Sequence, residues 1–290
     1  MASNAPSRRA AAIARTASHC YNEKAKIQNH YDLISPYYRA LWGEHLHHGY
    51  WIRGDETKEQ AQLQLVEHLA GAAGIRPGAK LLDVGCGFGG SSLYLAARYG
   101  VEATGITISP VQVEMASAEA AARRVSAQFL LMDAQAMTFP PESFDVVWSI
   151  ESISHYQRKA EFFASAARLL RPGGTFALID WFRKEGLDLR AYEKSLRPIE
   201  RGMMVALDPI ASYEGLLEAN GLRVAQREIL NDRCAKTWDL CLDIIRKKEF
   251  WTLAARLGPE FLHFLRAFRA MKAGFASGNF VYALLIAQKP

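Results

Sequence analysis

Leu81-Leu82-Asp83-Val84-Gly85-Cys86-Gly87-Phe88-Gly89-Gly90 is the stretch that decides the fold. LLDVG (81–85) reads as a buried strand, and 90–99 as a helix. The glycines between them let the backbone turn sharply and approach a ligand closely. Working outward, the same alternation continues. VEATGI (101–106) is a strand, and Ser109-Pro110 caps a helix to about Arg124. AQFLLM (127–132) and FDVVWSI (144–150) are strands, 158–170 is helical, Pro172-Gly173-Gly174 turns, and TFALIDWF (175–182) is a strand. Strands separated by amphipathic helices form parallel βαβ units, so the fold class is α/β, a doubly wound sheet.

The flanks differ from this core. Residues 23–41 read as a helix with Ile27, Tyr31, Ile34 and Tyr38 along one face. Residues 44–51 (EHLHHGYW) form no regular element. Thr57 and Gln60 make a capping box for a helix ending near Gly74. Asp208-Pro209 opens a helix that closes at Asn220-Gly221; a strand (222–230), a long aromatic-rich helical stretch (236–275) and a terminal strand (279–288) follow. That last strand has no crossover helix after it and can lie antiparallel. The expected organisation is a tail over 1–22 and a single domain over 23–290. Its core spans about 75–185 plus 222–230 and 279–288. A helical cap from 23–60, 187–220 and 236–275 covers the carboxyl ends of the strands, where ligands bind in such sheets.

Composition limits the class. The 290 residues are 50% hydrophobic and 22% charged, which excludes a disordered chain and a small disulfide scaffold. No apolar run reaches eighteen residues. Cys20, Cys86, Cys234 and Cys241 form no CxxC pair, which favours a reducing, cytoplasmic compartment. The net charge of +5 is concentrated at the ends. Residues 1–30 hold five Lys/Arg against one Glu, and 246–290 hold eight against two, leaving 31–245 mildly acidic. A folded body without a basic face excludes nucleic acid as the expected partner, while the basic ends suit peripheral contact with an anionic membrane. The first twenty-two residues contain no acid and are rich in Ala, Ser and Arg, a composition that fits a disordered tail or an organellar address.

The glycine loop by itself does not choose its cofactor. Gly85, Gly87 and Gly90 satisfy GxGxxG, a weak dinucleotide fingerprint. A dinucleotide site also wants an acid at the end of the next strand, where this chain has Gly105-Ile106-Thr107. Asp83 instead precedes the glycines. A carboxylate there would repel a pyrophosphate and suits a ligand carrying an ammonium and a sulfonium.

LLDVGCGFGG (81–90), GITISPVQ (105–112), DAQAMTFPPESFDVVWSIESISHY (133–156) and LLRPGG (169–174) together resemble the class I S-adenosylmethionine (SAM)-dependent methyltransferases. NHYDLISPYY (29–38) and WGEHLHHGYW (42–51) narrow the resemblance to the γ-tocopherol methyltransferase-like group. Its neighbours include natural-product O-, N- and C-methyltransferases, sterol methyltransferases and cyclopropane fatty-acid synthases. The likeness covers about 25–290 and is weakest beyond 185. It implies a Rossmann-like, mainly parallel seven-stranded sheet with an antiparallel last strand, and SAM as cofactor. It places Gly85, Gly87 and Gly89 along the methionine half of SAM, Asp83 near the ammonium, and Tyr31 at the carboxylate end. Thr107 with Gln112 would take the ribose, and Asp133 with the backbone of Ala134 the adenine amine. Tyr38, His48, Tyr50, Trp51 and Glu151 would line the acceptor pocket. The His45, His47, His48 cluster lacks the HExxH spacing of a zinc site, so no metal is expected.

Methyl transfer from a sulfonium is an in-line displacement that mainly needs alignment and exclusion of water. A phenol or alcohol must also lose a proton, and a histidine beside the methyl is a natural base. Related enzymes with an ESxxH pattern place a histidine there, which makes His155 the expected general base and Asp180, at the end of the fifth strand, a second catalytic candidate. Cyclopropane synthases carry a glutamate immediately before that histidine, where this chain has Ser154; the difference counts against their chemistry. The aromatic residues of 236–275 point to an apolar tunnel for a prenyl, polyketide or acyl tail, or to the core of the cap itself. The expected activity is methylation of an oxygen or carbon of a lipophilic or phenolic small molecule. N-methylation and a SAM-binding protein without turnover are the alternatives.

Overall fold

A computed structural model describes residues 23–257 and 260–290; the tail expected over 1–22, with Cys20, lies outside the described residues. Seven strands form one sheet in the order β3-β2-β1-β4-β5-β7-β6. They are β1 (Lys80–Val84), β2 (Glu102–Thr107), β3 (Ala127–Leu131), β4 (Phe144–Ile150), β5 (Leu170–Arg183), β6 (Arg223–Ile229) and β7 (Phe280–Gln288). β1 to β5 run parallel, and β7 is inserted antiparallel between β5 and β6. The chain order reverses between β1 and β4, which opens a crevice beyond their carboxyl ends.

The central strands β4, β5 and β7 are apolar on both faces because helices cover both, whereas the edge strand β6 is largely exposed. On β5, Ala177, Ile179 and Trp181 join one core with Trp148 and Tyr282, while Phe176, Leu178 and Phe182 join the other with Phe162 and Phe163. This alternation has period two. The helices on the sheet are α2 (Lys58–Ala73), α3 (Gly90–Tyr99), α4 (Pro110–Arg123), α5 (Lys159–Leu169) and α8 (Ile210–Ala219). α2 opens on the complete Thr57–Gln60 capping box and closes at left-handed Gly74. Ser109 caps α4 by accepting from the Gln112 amide.

The other helices are α1 (Lys24–Trp42), α6 (Leu189–Ser195), α7 (Arg197–Met203), α9 (Asn231–Cys234), α10 (Lys236–Ile244), α11 (Lys248–Leu257) and α12 (Glu260–Ser277); α1, α7 and α10 to α12 contribute to the crevice walls. Three details depart from expectation. The helical stretch at 236–275 is broken into α10, α11 and α12. Pro172-Gly173-Gly174 does not separate helix from strand: β5 begins at Leu170, and its register against β4 shifts between Phe144 and Val146. α8 buries Ile210, Tyr213 and Leu217 against the sheet beside Phe163 and Phe182, so it belongs to the α/β layers and not to the cap.

Candidate active site

The loops after β1 and β4, crossed by α1 and roofed by α10 to α12, enclose one long cavity. At its β1 end Gly85 has φ +77°, and a Cβ there would lie 2.4 Å from the Ser152 side chain. Only glycine fits that close approach. Gly85, Gly87 and Gly90 line the cavity, as does Asp83. Gly89 does not: its Cα faces the Phe129 ring, 2.6 Å from where a Cβ would stand, and its amide donates to Cys86 O. The expectation for Gly89 is corrected accordingly, and Gly90 takes its place in the lining.

Asp83 is buried and accepts one side-chain hydrogen bond, from Ser92 Oγ at 2.5 Å. Burial pushes its carboxyl up to about 7, against the opposing pull of that hydrogen bond. A cation beside it would restore its charge. Further along, the Thr107 hydroxyl donates to Gln112 Oε1 at 2.7 Å, and Gln112 Nε2 donates to Ser35 Oγ of α1 at 3.2 Å. Asp133 and Ala134 belong to the same lining. Asp133 Oδ1 accepts from the Gln135 amide, and Oδ2 pairs with Lys24 at 2.9 Å. Nothing in the sequence marks Lys24 as a cavity residue; α1 brings it there.

His155 is buried, and burial lowers its imidazole to about 4. Its Nδ1 lies 3.1 Å from the carbonyl of Met204, which only accepts, so Nδ1 carries the proton. In the neutral ring Nε2 then holds a lone pair, and the Tyr31 hydroxyl, 3.1 Å away, donates to it. Tyr31 was expected at the carboxylate end of the cofactor; here its hydroxyl engages His155. Burial also pushes the Tyr31 hydroxyl upward, so it remains a donor.

Glu151 follows β4 with φ +54°, a left-handed backbone that costs a non-glycine residue on the order of 1–2 kcal/mol. Its Oε1 accepts from the His48 amide (2.8 Å), His48 Nδ1 (2.7 Å) and the Tyr282 hydroxyl (2.6 Å). Burial alone would raise this carboxyl, but His48 and the other partners outweigh it and hold it below its ordinary value. His48 stacks between Phe275 and Tyr282. His47 Nδ1 donates to His48 O, and His47 Nε2 meets His45 Nδ1 at 3.1 Å. All three histidines line the cavity.

Beyond His155 the cavity becomes apolar. Tyr38, Trp42, Trp181, Trp238, Phe250 and Phe264 are among its walls. Phe250 and Phe264 come from the aromatic stretch singled out in the sequence, whereas Trp181 was missed although strand parity could have found it. The same parity corrects Asp180. Asp180 points to the opposite face of β5, where it accepts from the Ser154 amide (2.8 Å), its neighbour Trp181's amide (2.8 Å) and the Tyr213 hydroxyl (3.2 Å). It does not line the cavity. Tyr50 and Trp51 are corrected as well. Tyr50 stacks on His68 at 4.6 Å, and Trp51 donates to Glu56 O under Lys236, so both fasten the 44–56 loop outside the lining.

Residues 19–243 match the family described as mycolic acid cyclopropane synthetase. The chain is 34% identical over 268 residues to 27-O-demethylrifamycin SV methyltransferase of Amycolatopsis mediterranei, covering 91% of this chain and 97% of that one. It is 30% identical over 308 residues to the chloroplastic tocopherol O-methyltransferase of Arabidopsis thaliana, covering 96% and 86%. A crystal structure of a mycolic acid cyclopropane synthase, complexed with S-adenosylhomocysteine and CTAB, superposes with a TM-score of 0.82 at 26% identity, covering 91% of this chain and 98% of that one.

Proposed function

Since the chain belongs to the mycolic acid cyclopropane synthetase family of SAM-dependent enzymes, we propose that it methylates a hydroxyl oxygen of a lipophilic small molecule, with His155 as general base. It is a SAM-dependent methyltransferase, and its acceptor is a small molecule. One observation carries the finer reading: a neutral imidazole with a protonated Nδ1 and an Nε2 lone pair that accepts only from the Tyr31 hydroxyl lines the same cavity as the glycine loop and the aromatic walls. SAM supplies an electrophilic methyl on a sulfonium.

The residues present fit that cofactor. The buried Asp83 carboxylate takes the ammonium, and the Gly85–Gly90 turn gives the methionine half room that a Cβ would fill. Thr107 and Gln112 hold the ribose. Asp133 and Ala134 hold the adenine amine, for which Lys24 must give up Asp133 Oδ2. The acceptor's apolar body lies among Trp42, Trp181, Trp238 and Phe264, which exclude water. Its hydroxyl replaces Tyr31 as donor to His155 Nε2, or reaches it through the Tyr31 hydroxyl. As the oxygen would bond to the methyl carbon and the carbon–sulfur bond break to leave a neutral thioether, its proton would pass to Nε2, with the imidazolium keeping its Nδ1–H on Met204 O.

The likeness to a cyclopropane synthase favours a second reading, transfer to an alkene. Ser154 speaks against it, because its buried hydroxyl offers no carboxylate beside His155. The test is incubation with methyl-labelled SAM and a host-cell extract, followed by phase separation. Label in the organic phase is expected; label confined to the aqueous phase would remove the lipophilic acceptor.

The cap suggests how such an acceptor enters. On α11 Phe250 lines the cavity while the next residue, Trp251, is 54% exposed, beside exposed Lys247 and Lys248. This tip rests peripherally on an anionic membrane. Flotation with phosphatidylglycerol vesicles should retain the protein and lose it for Trp251→Ser; no flotation would refute the contact. No helix among the described residues is long and apolar enough to cross a membrane.

A further inference from the structure

Glu151 is more than the mechanism above needs. His155 has its own partner for Nδ1, so no hydrogen bond from Glu151 orients the base. The three donors that meet Glu151 all converge on Oε1. Among the described residues Oε2 receives no hydrogen bond, and the side chain is 10% exposed in a residue that lines the cavity. Oε2 is therefore the oxygen that faces the cavity. An unpaired carboxylate oxygen that opens onto an aromatic-walled cavity is an acceptor available to a ligand hydroxyl. The backbone supports a purpose beyond the turn. The left-handed conformation at 151 suits glycine, and glycine would satisfy the fold without strain. Here a carboxylate occupies that strained position, locked by His48 and Tyr282.

We propose that Glu151 is a specificity-determining residue that accepts a hydrogen bond from a second hydroxyl of the acceptor, so that the enzyme prefers a dihydroxylated lipophile over a monohydric one. One hydroxyl meets His155 and is methylated. The other meets Glu151 Oε2 and fixes the ring or chain in register. The inference rests on the reading of the cavity as an acceptor site for a lipophilic hydroxyl compound. The proton of the reacting hydroxyl goes to His155, and Glu151, held through Oε1 by three donors, is not asked to act as base. Its contribution is to anchor, and through its charge to favour the imidazolium formed at His155.

The test uses the full chain saturated with S-adenosylhomocysteine and three probes: 2-octylhydroquinone, 2-octylphenol and octylammonium. Affinity is read from quenching of the cavity tryptophans Trp42, Trp181 and Trp238, and turnover is measured separately with SAM. The wild type should bind the hydroquinone at least tenfold tighter than the phenol. In Glu151→Gln that ratio should fall to threefold or less, with the loss appearing in KM more than in kcat. Glu151→Gly is the second variant; it relieves the left-handed backbone, so it keeps the turn while removing the carboxylate, and should compress the ratio equally. A ratio unchanged in both folded variants would overturn the proposal and leave the acceptor reading standing. Octylammonium binding that exceeds both phenols and is lost in Glu151→Gln would overturn it in favour of a cationic acceptor. Wild-type binding of none of the three probes would overturn the acceptor reading together with the inference.

Discussion

Cofactor binding should strengthen as pH rises to about 7 and then level off, and Asp83→Asn should abolish the slope. Burial raises the Asp83 carboxyl from its ordinary 3.8 to about 7. In the free enzyme at pH 5 the carboxyl is then about two units below its midpoint and only ~1% ionised. If the carboxylate is the form that takes the cofactor ammonium, affinity at pH 5 is about 100-fold below its plateau, or about 2.7 kcal/mol. The sign is opposite for stability of the unliganded protein. A carboxyl whose folded value is raised binds its proton more tightly when folded, so the fold weakens as pH climbs from 3.8 to 7. Asp83→Asn should therefore raise the unliganded Tm at pH 8, relative to wild type, more than at pH 4, while weakening the cofactor. Isothermal titration with S-adenosylhomocysteine from pH 5 to 8.5 gives the binding arm, and thermal melts at pH 4 and 8 give the other. A wild-type Kd that does not change between pH 5 and 8, or an Asp83→Asn Kd with the wild-type slope, would refute the electrostatic role of Asp83.

Three further outcomes follow from the same geometry. His155→Ala should lower kcat by about 10²- to 10⁴-fold with the Kd for S-adenosylhomocysteine within threefold, and Tyr31→Phe should cost less; unchanged kcat in His155→Ala would remove the base. Because burial lowers His155 to about 4, kcat at saturating cofactor should fall only as pH drops through about 4, with no limb near 6.5; a limb near 6.5 lost in His155→Gln would contradict the buried neutral ring. Asp180→Asn should lower Tm, since an amide group would face the backbone and Tyr213 donors now on the carboxylate, yet leave cofactor Kd within twofold; a selective loss of binding or kcat would return Asp180 to the site.

The elements that position the cofactor half were legible because each rests on a local rule. The LLDVG strand, the glycine turn, the Ser109-Pro110 cap and the Thr57–Gln60 box are short-range patterns, and all four stand where their residues indicate. The terminal strand runs antiparallel to both its neighbours, β5 and β6, as expected for it. The acceptor half was less legible because it is assembled from distant elements. Strand parity turns Asp180 away and Trp181 inward, and overlooking that period misplaced the acid. Gly49 explains Tyr50 and Trp51: a Cβ there would lie 2.6 Å from the Trp51 ring, so the loop folds both aromatics back onto α2. The links of Tyr31 to His155 and Lys24 to Asp133 join residues more than a hundred positions apart, and no local pattern announces them.

Transfer of a methyl group to oxygen under His155 is the predicted reaction. Its most direct measurement is the carbon NMR spectrum of the product made from methyl-¹³C SAM and 2-octylhydroquinone, with wild type and His155→Ala run side by side. A labelled methoxy carbon from the wild type, at least 100-fold less abundant from His155→Ala, is the predicted result. A labelled ring methyl, or a methoxy signal of equal strength from the two proteins, would contradict it.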